Sequence, residues 1–219
     1  MTIKTLWRAL PLTAAVLAVA PAAFAAFAAD TPSATAAPTV AAVPAVTATD
    51  RVLGRADAPV TVIEYASFTC SHCADWTNEV LPDFKTRYID TGKVRLVFRD
   101  MPTQPVQVAA TAAAIGRCAA PDRFFDVAHH FMAGQAAAFA SGNARNWYVG
   151  AIAASGRTQP QMDACLADPA TQRALQADVE AAVAAGVQGT PSFFVNGKRA
   201  ADHSIETLSA AIDPLIKGR

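Results

Sequence analysis

Residues 60–84 read VTVIEYASFTCSHCADWTNEVLPDF. Val60 to Ser67 is rich in β-branched and aromatic side chains and reads as a strand, while Trp76, Val80, Leu81 and Phe84 recur at helical spacing. The motif Cys70-Ser71-His72-Cys73 falls at the junction, which puts Cys70 at a helix N-terminus. Unpaired backbone N–H groups and the positive end of the macrodipole favour a thiolate there. His72 would add to that stabilisation if it were protonated or donated a hydrogen bond. An unperturbed cysteine has a pKa of about 8.5, whereas values of roughly 3.5 to 7 occur in Cys-x-x-Cys sites. Each unit is worth about 1.4 kcal/mol in favour of the anionic, reduced form. A stabilised reduced form makes the matching disulfide a stronger oxidant.

Downstream, Thr91-Gly92 is a stop, and Val94, Leu96 and Phe98 then alternate with charged residues through Arg99. Strand, helix and strand in this length predict a right-handed βαβ unit with parallel strands. From Pro105 the pattern turns helical. Val108, Ala112 and Ile115 mark one helix ending near Cys118; Phe124, Phe125, Ala128, Phe131 and Met132 mark a second; Trp147 and Ile152, then Met162 and Leu166, continue the series. Gly134, Gly142, Gly156 and Pro160 read as breaks, and a final helix through Leu175, Val179 and Val183 stops at Gly186. Ser192–Val195 is again strand-like, Asn196-Gly197 is a hairpin turn, and Lys198 to Asp202 supplies the return strand. A C-terminal helix runs from Ser204 through Leu208, Ile212 and Leu215. This order predicts an α/β architecture: a four-stranded central mixed sheet flanked by helices, with an all-helical block inserted at about residues 104–185. That is a thioredoxin fold with a helical insertion.

At the other end, Lys4 and Arg8 precede an Ala/Leu/Val-rich stretch that finishes in Ala23-Phe24-Ala25 and Ala26-Phe27-Ala28. Residues 1–28 read as a secretory signal peptide, an uncleaved membrane anchor being the alternative. Residues 29–50, rich in Ala, Thr and Pro, read as a disordered linker. The domain then begins at residue 51 and runs to 219, long enough for one substantial core. The chain has 18 basic and 18 acidic residues, and loss of Lys4 and Arg8 leaves 16 against 18. That balance points away from nucleic acid and from acidic substrates.

Export makes the four cysteines readable, because disulfides persist outside the cytosol. Spacing pairs Cys70 with Cys73, which leaves Cys118 with Cys165 as a structural disulfide; two buried free thiols are the alternative. The expected compartment is the periplasm.

The stretch from about Val52 to Lys217 resembles the DsbA-like thiol-disulfide oxidoreductases of bacterial envelopes. Four features carry the resemblance: Cys70-Ser71-His72-Cys73 after the first strand; Gly186-Val187-Gln188-Gly189-Thr190-Pro191 before Phe193-Phe194-Val195-Asn196-Gly197; the helical insertion; and Glu64, six residues before the first cysteine. It implies Cys70 as the exposed nucleophile, Cys73 as the buried resolving thiol, and Pro191 as a cis-proline that brings the Thr190 backbone to the sulfur. Glu64, buried near Cys73, would accept or relay the resolving thiol's proton with a raised pKa. The alternative for Glu64 is an exposed carboxylate, or one paired with Arg95 or Arg99. Ser71 stands where strong oxidases often carry proline, and threonine precedes Pro191 as in isomerase-type relatives, so the sign of electron flow stays open.

The implied function is a periplasmic oxidase that introduces disulfides into reduced or unfolded exported proteins and is reoxidised by a membrane redox partner. It would act as a monomer, with no cofactor beyond the Cys70-Cys73 disulfide and no metal. Alternatives are an isomerase or reductase of the same fold, and a copper(I) metallochaperone using Cys70, Cys73 and His203. His129-His130 lies in a helical stretch where neighbouring side chains diverge, so it does not read as a metal site. Phe68, beside the motif, is a candidate lining residue for a peptide groove.

Overall fold

The computed structural model describes residues 42–217, so the leader and the first part of the linker lie outside the described residues. Strand β1 is Arg51–Leu53, β2 is Val60–Ala66 and β3 is Val94–Asp100. β4 is Ser192–Val195 and β5 is Lys198–Arg199. They form one sheet in the order β1-β3-β2-β4-β5. β2 and β3 run parallel, with Glu64 opposite Phe98, and the remaining pairs are antiparallel. The four strands expected are present. The added one, β1, is only three residues long, too short for its pattern to separate it from the preceding Ala/Thr-rich stretch. The return strand is also shorter than Lys198 to Asp202, ending at Arg199.

β2 and β3 are connected by a helical run made of α1 (Ser71–Asp75), a π-helical segment (Trp76–Val80), α2 (Leu81–Phe84) and a second π-helical segment (Lys85–Ile89). Pro82 explains the first widening: its ring would meet the Asn78 carbonyl in a regular α-turn. The Leu81 N–H instead reaches back five residues to Trp76 O.

The insertion consists of α3 (Val106–Cys118), α4 (Phe124–Ser141), α5 (Arg145–Ala154), α6 (Gln159–Ala167) and α7 (Pro169–Ala184). Two expected breaks are not breaks. Gly134 lies inside α4, where a Cβ would come within 3.1 Å of Trp147, so the glycine permits close packing of α5. Pro160 sits in the first turn of α6 behind the Thr158 N-cap, where its missing N–H costs nothing. α7 ends as expected, with Gly186 at φ +74. Helix α8 (Ile205–Lys217) closes the chain, and Ser204 Oγ accepts from the Thr207 N–H at 3.2 Å.

One sheet face buries Val60, Val62, Leu96, Phe193 and Val195 against Trp76, Phe84, Leu208 and Ile212. The opposite face buries Ile63, Tyr65, Val97 and Phe194 against Ala182 and Val187 of the α7 end. Phe68, Phe98, Phe124, Phe131 and Trp147 form a third cluster joining the insertion to the β2 end. The disulfide Cys118–Cys165 ties α3 to α6.

Residues 42–50 are not the featureless tether expected. Val43 and Val46 pack on the Ile63/Tyr65 face. Arg99 donates to both Asp50 carboxylate oxygens at 2.9 and 3.0 Å and to the carbonyls of Pro44 and Ala45. Low complexity hid this docking, because the partners that order the stretch lie in β2 and β3.

Candidate active site

β2 delivers the chain to the site through Ser67-Phe68-Thr69. Ser67 Oγ accepts from the N–H groups of Thr69 and Thr103, and the Ser67 carbonyl accepts from Cys70 N. Phe68 is 1% exposed and stacks on Phe98 at 5.4 Å. It is a core anchor for the turn and not a groove wall. Cys70 takes the N-cap position in extended geometry, φ −86 and ψ 119, and its carbonyl accepts from the N–H groups of Cys73 and Ala74.

The two thiols sit in opposite environments. Cys70 is half-buried, and Cys73 is fully enclosed. Cys70 is pushed down to about 5: the neighbouring Cys73 thiol is the largest cause, burial opposes, and the Thr190 side chain, whose Oγ1 is otherwise without a partner, and the N–H groups of Cys73 and His72 add to the thiolate's stabilisation. Cys73 is pushed far up, by burial first, then by its bond to Cys70 and the charges of Glu64 and Cys70. As a thiol, Cys70 Sγ donates to the Thr190 carbonyl at 3.2 Å. The Thr190–Pro191 bond is cis, and so is Gln104–Pro105.

His72 is exposed. Its backbone N–H supports the thiolate. The ring lies 6.3 Å from that of His203. Among the described residues, no three His, Cys, Asp or Glu side chains are grouped to hold a metal ion. His203 is a neighbour of His72.

Glu64 occupies the middle strand between Phe98 and Phe193. It is 1% exposed, and its Oε1 has no hydrogen-bond partner. Burial, then the charge on Cys70, pushes it up to about 8. Neither arginine pairs with it: Arg95 donates to Thr61 and Ala56, and Arg99 to Asp50. A carboxyl raised in the folded state contributes stability that is fully present below its unfolded pKa and is lost as pH rises through about 8. Glu64→Gln should therefore raise the melting temperature more at pH 8 than at pH 4. Equal changes at both pH values would remove the buried-carboxyl reading.

Two contributors escaped the sequence reading. Thr103 shares a hydroxyl contact with Thr69 at 3.1 Å. Gln135 of α4 is 4% exposed and donates from Nε2 to the carbonyls of Phe68 and Cys70 at 2.8 and 3.0 Å. A signal existed for the second: Gln135 falls on the stripe formed by Phe124, Val127, Ala128, Phe131 and Met132, where an amide must find partners.

A family model described as Thioredoxin matches residues 46–214. The chain belongs to the thioredoxin family. Within that family it is DsbA-like. α-DsbA1 of Wolbachia pipientis superposes with a TM-score of 0.69 at 26% identity, over 79% of this chain and 94% of that one. Oxidised BdbD of Bacillus subtilis superposes at 0.66 and 20% identity, over 78% and 94%, and so bears on the fold alone. A relative from Rickettsia bellii (strain RML369-C), which carries the name protein-disulfide oxidoreductase, is 33% identical over 170 residues. That alignment takes in 77% of this chain, and the chain spans 65% of the relative's length. The thioredoxin-fold expectation and the DsbA-like resemblance thus both hold.

Proposed function

We propose that this thioredoxin-family chain is a protein dithiol-disulfide oxidoreductase that works as an oxidase. The observation that carries this reading is the polarised thiol pair: a half-buried Cys70 held down to about 5 beside an enclosed Cys73 pushed up. The name of the Rickettsia bellii relative supports the same activity.

In this reading a substrate thiolate attacks Cys70 Sγ of the Cys70-Cys73 disulfide. The S–S bond breaks toward Cys73, which takes the electron pair and a proton. In this reading Glu64, neutral at pH 7 because it is pushed up to about 8, gives up that proton, and solvent later restores it. A second substrate thiolate then attacks the substrate sulfur of the mixed disulfide. Cys70 leaves as a thiolate, and a low pKa makes it a good leaving group. Two electrons pass from the substrate dithiol to the pair, with no further cofactor. His72, Thr190 and Pro191 frame the exchange.

The substrates in this reading are reduced exported proteins, the chain acts as a monomer in the periplasm, and a membrane redox partner reoxidises it. The Cys118–Cys165 bond fits an oxidising compartment. Among the described residues no helix is long and apolar enough to cross a membrane.

Redox titration of Cys70/Cys73 against glutathione is the test. An oxidase should lie nearer the roughly −120 mV of a strong disulfide donor than the roughly −270 mV of a reductant. A value at the lower level would replace the oxidase reading with a reductase.

A further inference from the structure

The loop carrying the nucleophile is held from two sides. From the sheet side come the Ser67 bonds already described. From the insertion comes one amide: Gln135 Nε2 donates to Phe68 O at 2.8 Å and to Cys70 O at 3.0 Å. Both amide protons are thereby spent on the backbone that flanks a single sulfur. A second contact runs the other way, from the π-helical segment Trp76–Val80 to α4: Asn78 Nδ2 donates to Met132 O at 3.2 Å. Phe68 packing on Phe131 at 4.9 Å adds an apolar contact.

We propose that Gln135 is a positioning residue for the nucleophile, through which α4 of the insertion stabilises the Cys70 thiolate and thereby sets how oxidising the pair is. The proposal rests on the reading of Cys70/Cys73 as a redox pair. Its physical basis is the Cys70 carbonyl, whose negative end belongs to the same residue as the developing anion. That carbonyl already accepts from Cys73 N and Ala74 N, and the amide of Gln135 supplies a third donor. Drawing electron density away from the carbonyls on either side of Thr69 makes the potential at the sulfur less negative. A fixed donor in a dry site does this without the reorganisation that water would need.

Gln135→Met keeps the side-chain length and removes both donors, while Asn78–Met132 and Phe68–Phe131 still dock the helix. In the reduced protein, followed by thiolate absorbance, Cys70 should become a weaker acid. The equilibrium constant with glutathione should move toward the enzyme disulfide by about threefold to tenfold, the net worth of one or two hydrogen bonds. Gln135→Glu adds a readout that a space-filling role would not move. Its protonated carboxyl can donate one bond and its ionised form none, so the variant should approach the parent at low pH and depart from it as pH rises. Glu64, Cys73 and His72 flank the turn in the parent and in the variant alike, so the parent's own pH profile is the reference against which the variant is read.

Unchanged Cys70 titration and unchanged glutathione equilibrium in both variants would overturn the proposal. If Gln135→Met does not fold, the pH profile of Gln135→Glu decides alone: divergence with rising pH supports the proposal and parallel profiles overturn it. Absence of any exchange between the parent and glutathione would instead remove the redox reading on which the proposal stands.

Discussion

Cys70→Ser is expected to reduce oxidation of a reduced two-cysteine peptide to the uncatalysed background. Three features of the site converge on this sulfur. It is the accessible one of the pair, it alone is held down to about 5, and it lies against the Thr190 carbonyl, where an extended substrate backbone would pass. Cys73 cannot take its place, because it is fully enclosed and pushed up. At pH 7 it supplies essentially no thiolate, and an entering substrate sulfur cannot reach it. The serine hydroxyl keeps the size of the group and loses the chemistry, so the fold should be retained. The measurement is the peptide's loss of free thiols, followed with the oxidised parent and with the variant. Turnover by Cys70→Ser above background would sink the assignment of the nucleophile.

Cys118→Ser is expected to act on stability instead. The bond between Cys118 and Cys165 closes a separation of 47 residues. On the chain-entropy model, opening a loop of that size costs about 4 kcal/mol. Cys118 is 2% exposed, so the variant also buries a hydroxyl beside Thr171 and a freed thiol. For a domain of this size about 2 to 4 °C is lost per kcal/mol, which places the expected fall in melting temperature at roughly 8 to 16 °C. Below the new transition the Cys70 site should still turn over, since the bond joins α3 to α6 and neither of its sulfurs belongs to the Cys70-Cys73 turn. A melting temperature within a degree of the parent would show that the bond does not constrain the fold.

The parts of this molecule that announce themselves in sequence are those with a local cause. Val60–Ala66 is rich in β-branched and aromatic side chains and is buried on both faces, Gly186 and Asn196-Gly197 take positive φ, and Cys70 to Cys73 has a fixed spacing; each is legible without any partner. Glu64 stood out as a charge in an apolar strand, but its burial depends on Phe98 and Phe193, which come from two other strands. The misses share a different character. β1 is defined by Leu96, Val97 and Phe98 across the sheet, and Gln135 acquires its role only when α4 crosses the Cys70 turn. His72 contributes through its peptide N–H, which only the folded turn reveals. Phe68 looked accessible because it neighbours the motif, yet Phe98 and Phe131 enclose it.

The docking of residues 42–50 moves the edge of the packed body back from Arg51. Arg99 is 5% exposed, and apart from the Tyr65 hydroxyl every acceptor around its guanidinium comes from this stretch. The cation and the strap are therefore a single unit: peeling the strap away strands a charge in the interior, which the protein resists. Arg51 is therefore not a free joint, because the residues just before it are packed. Nine residues that would have served as leash, about 30 Å of extended reach, are instead part of the body they were thought to hold.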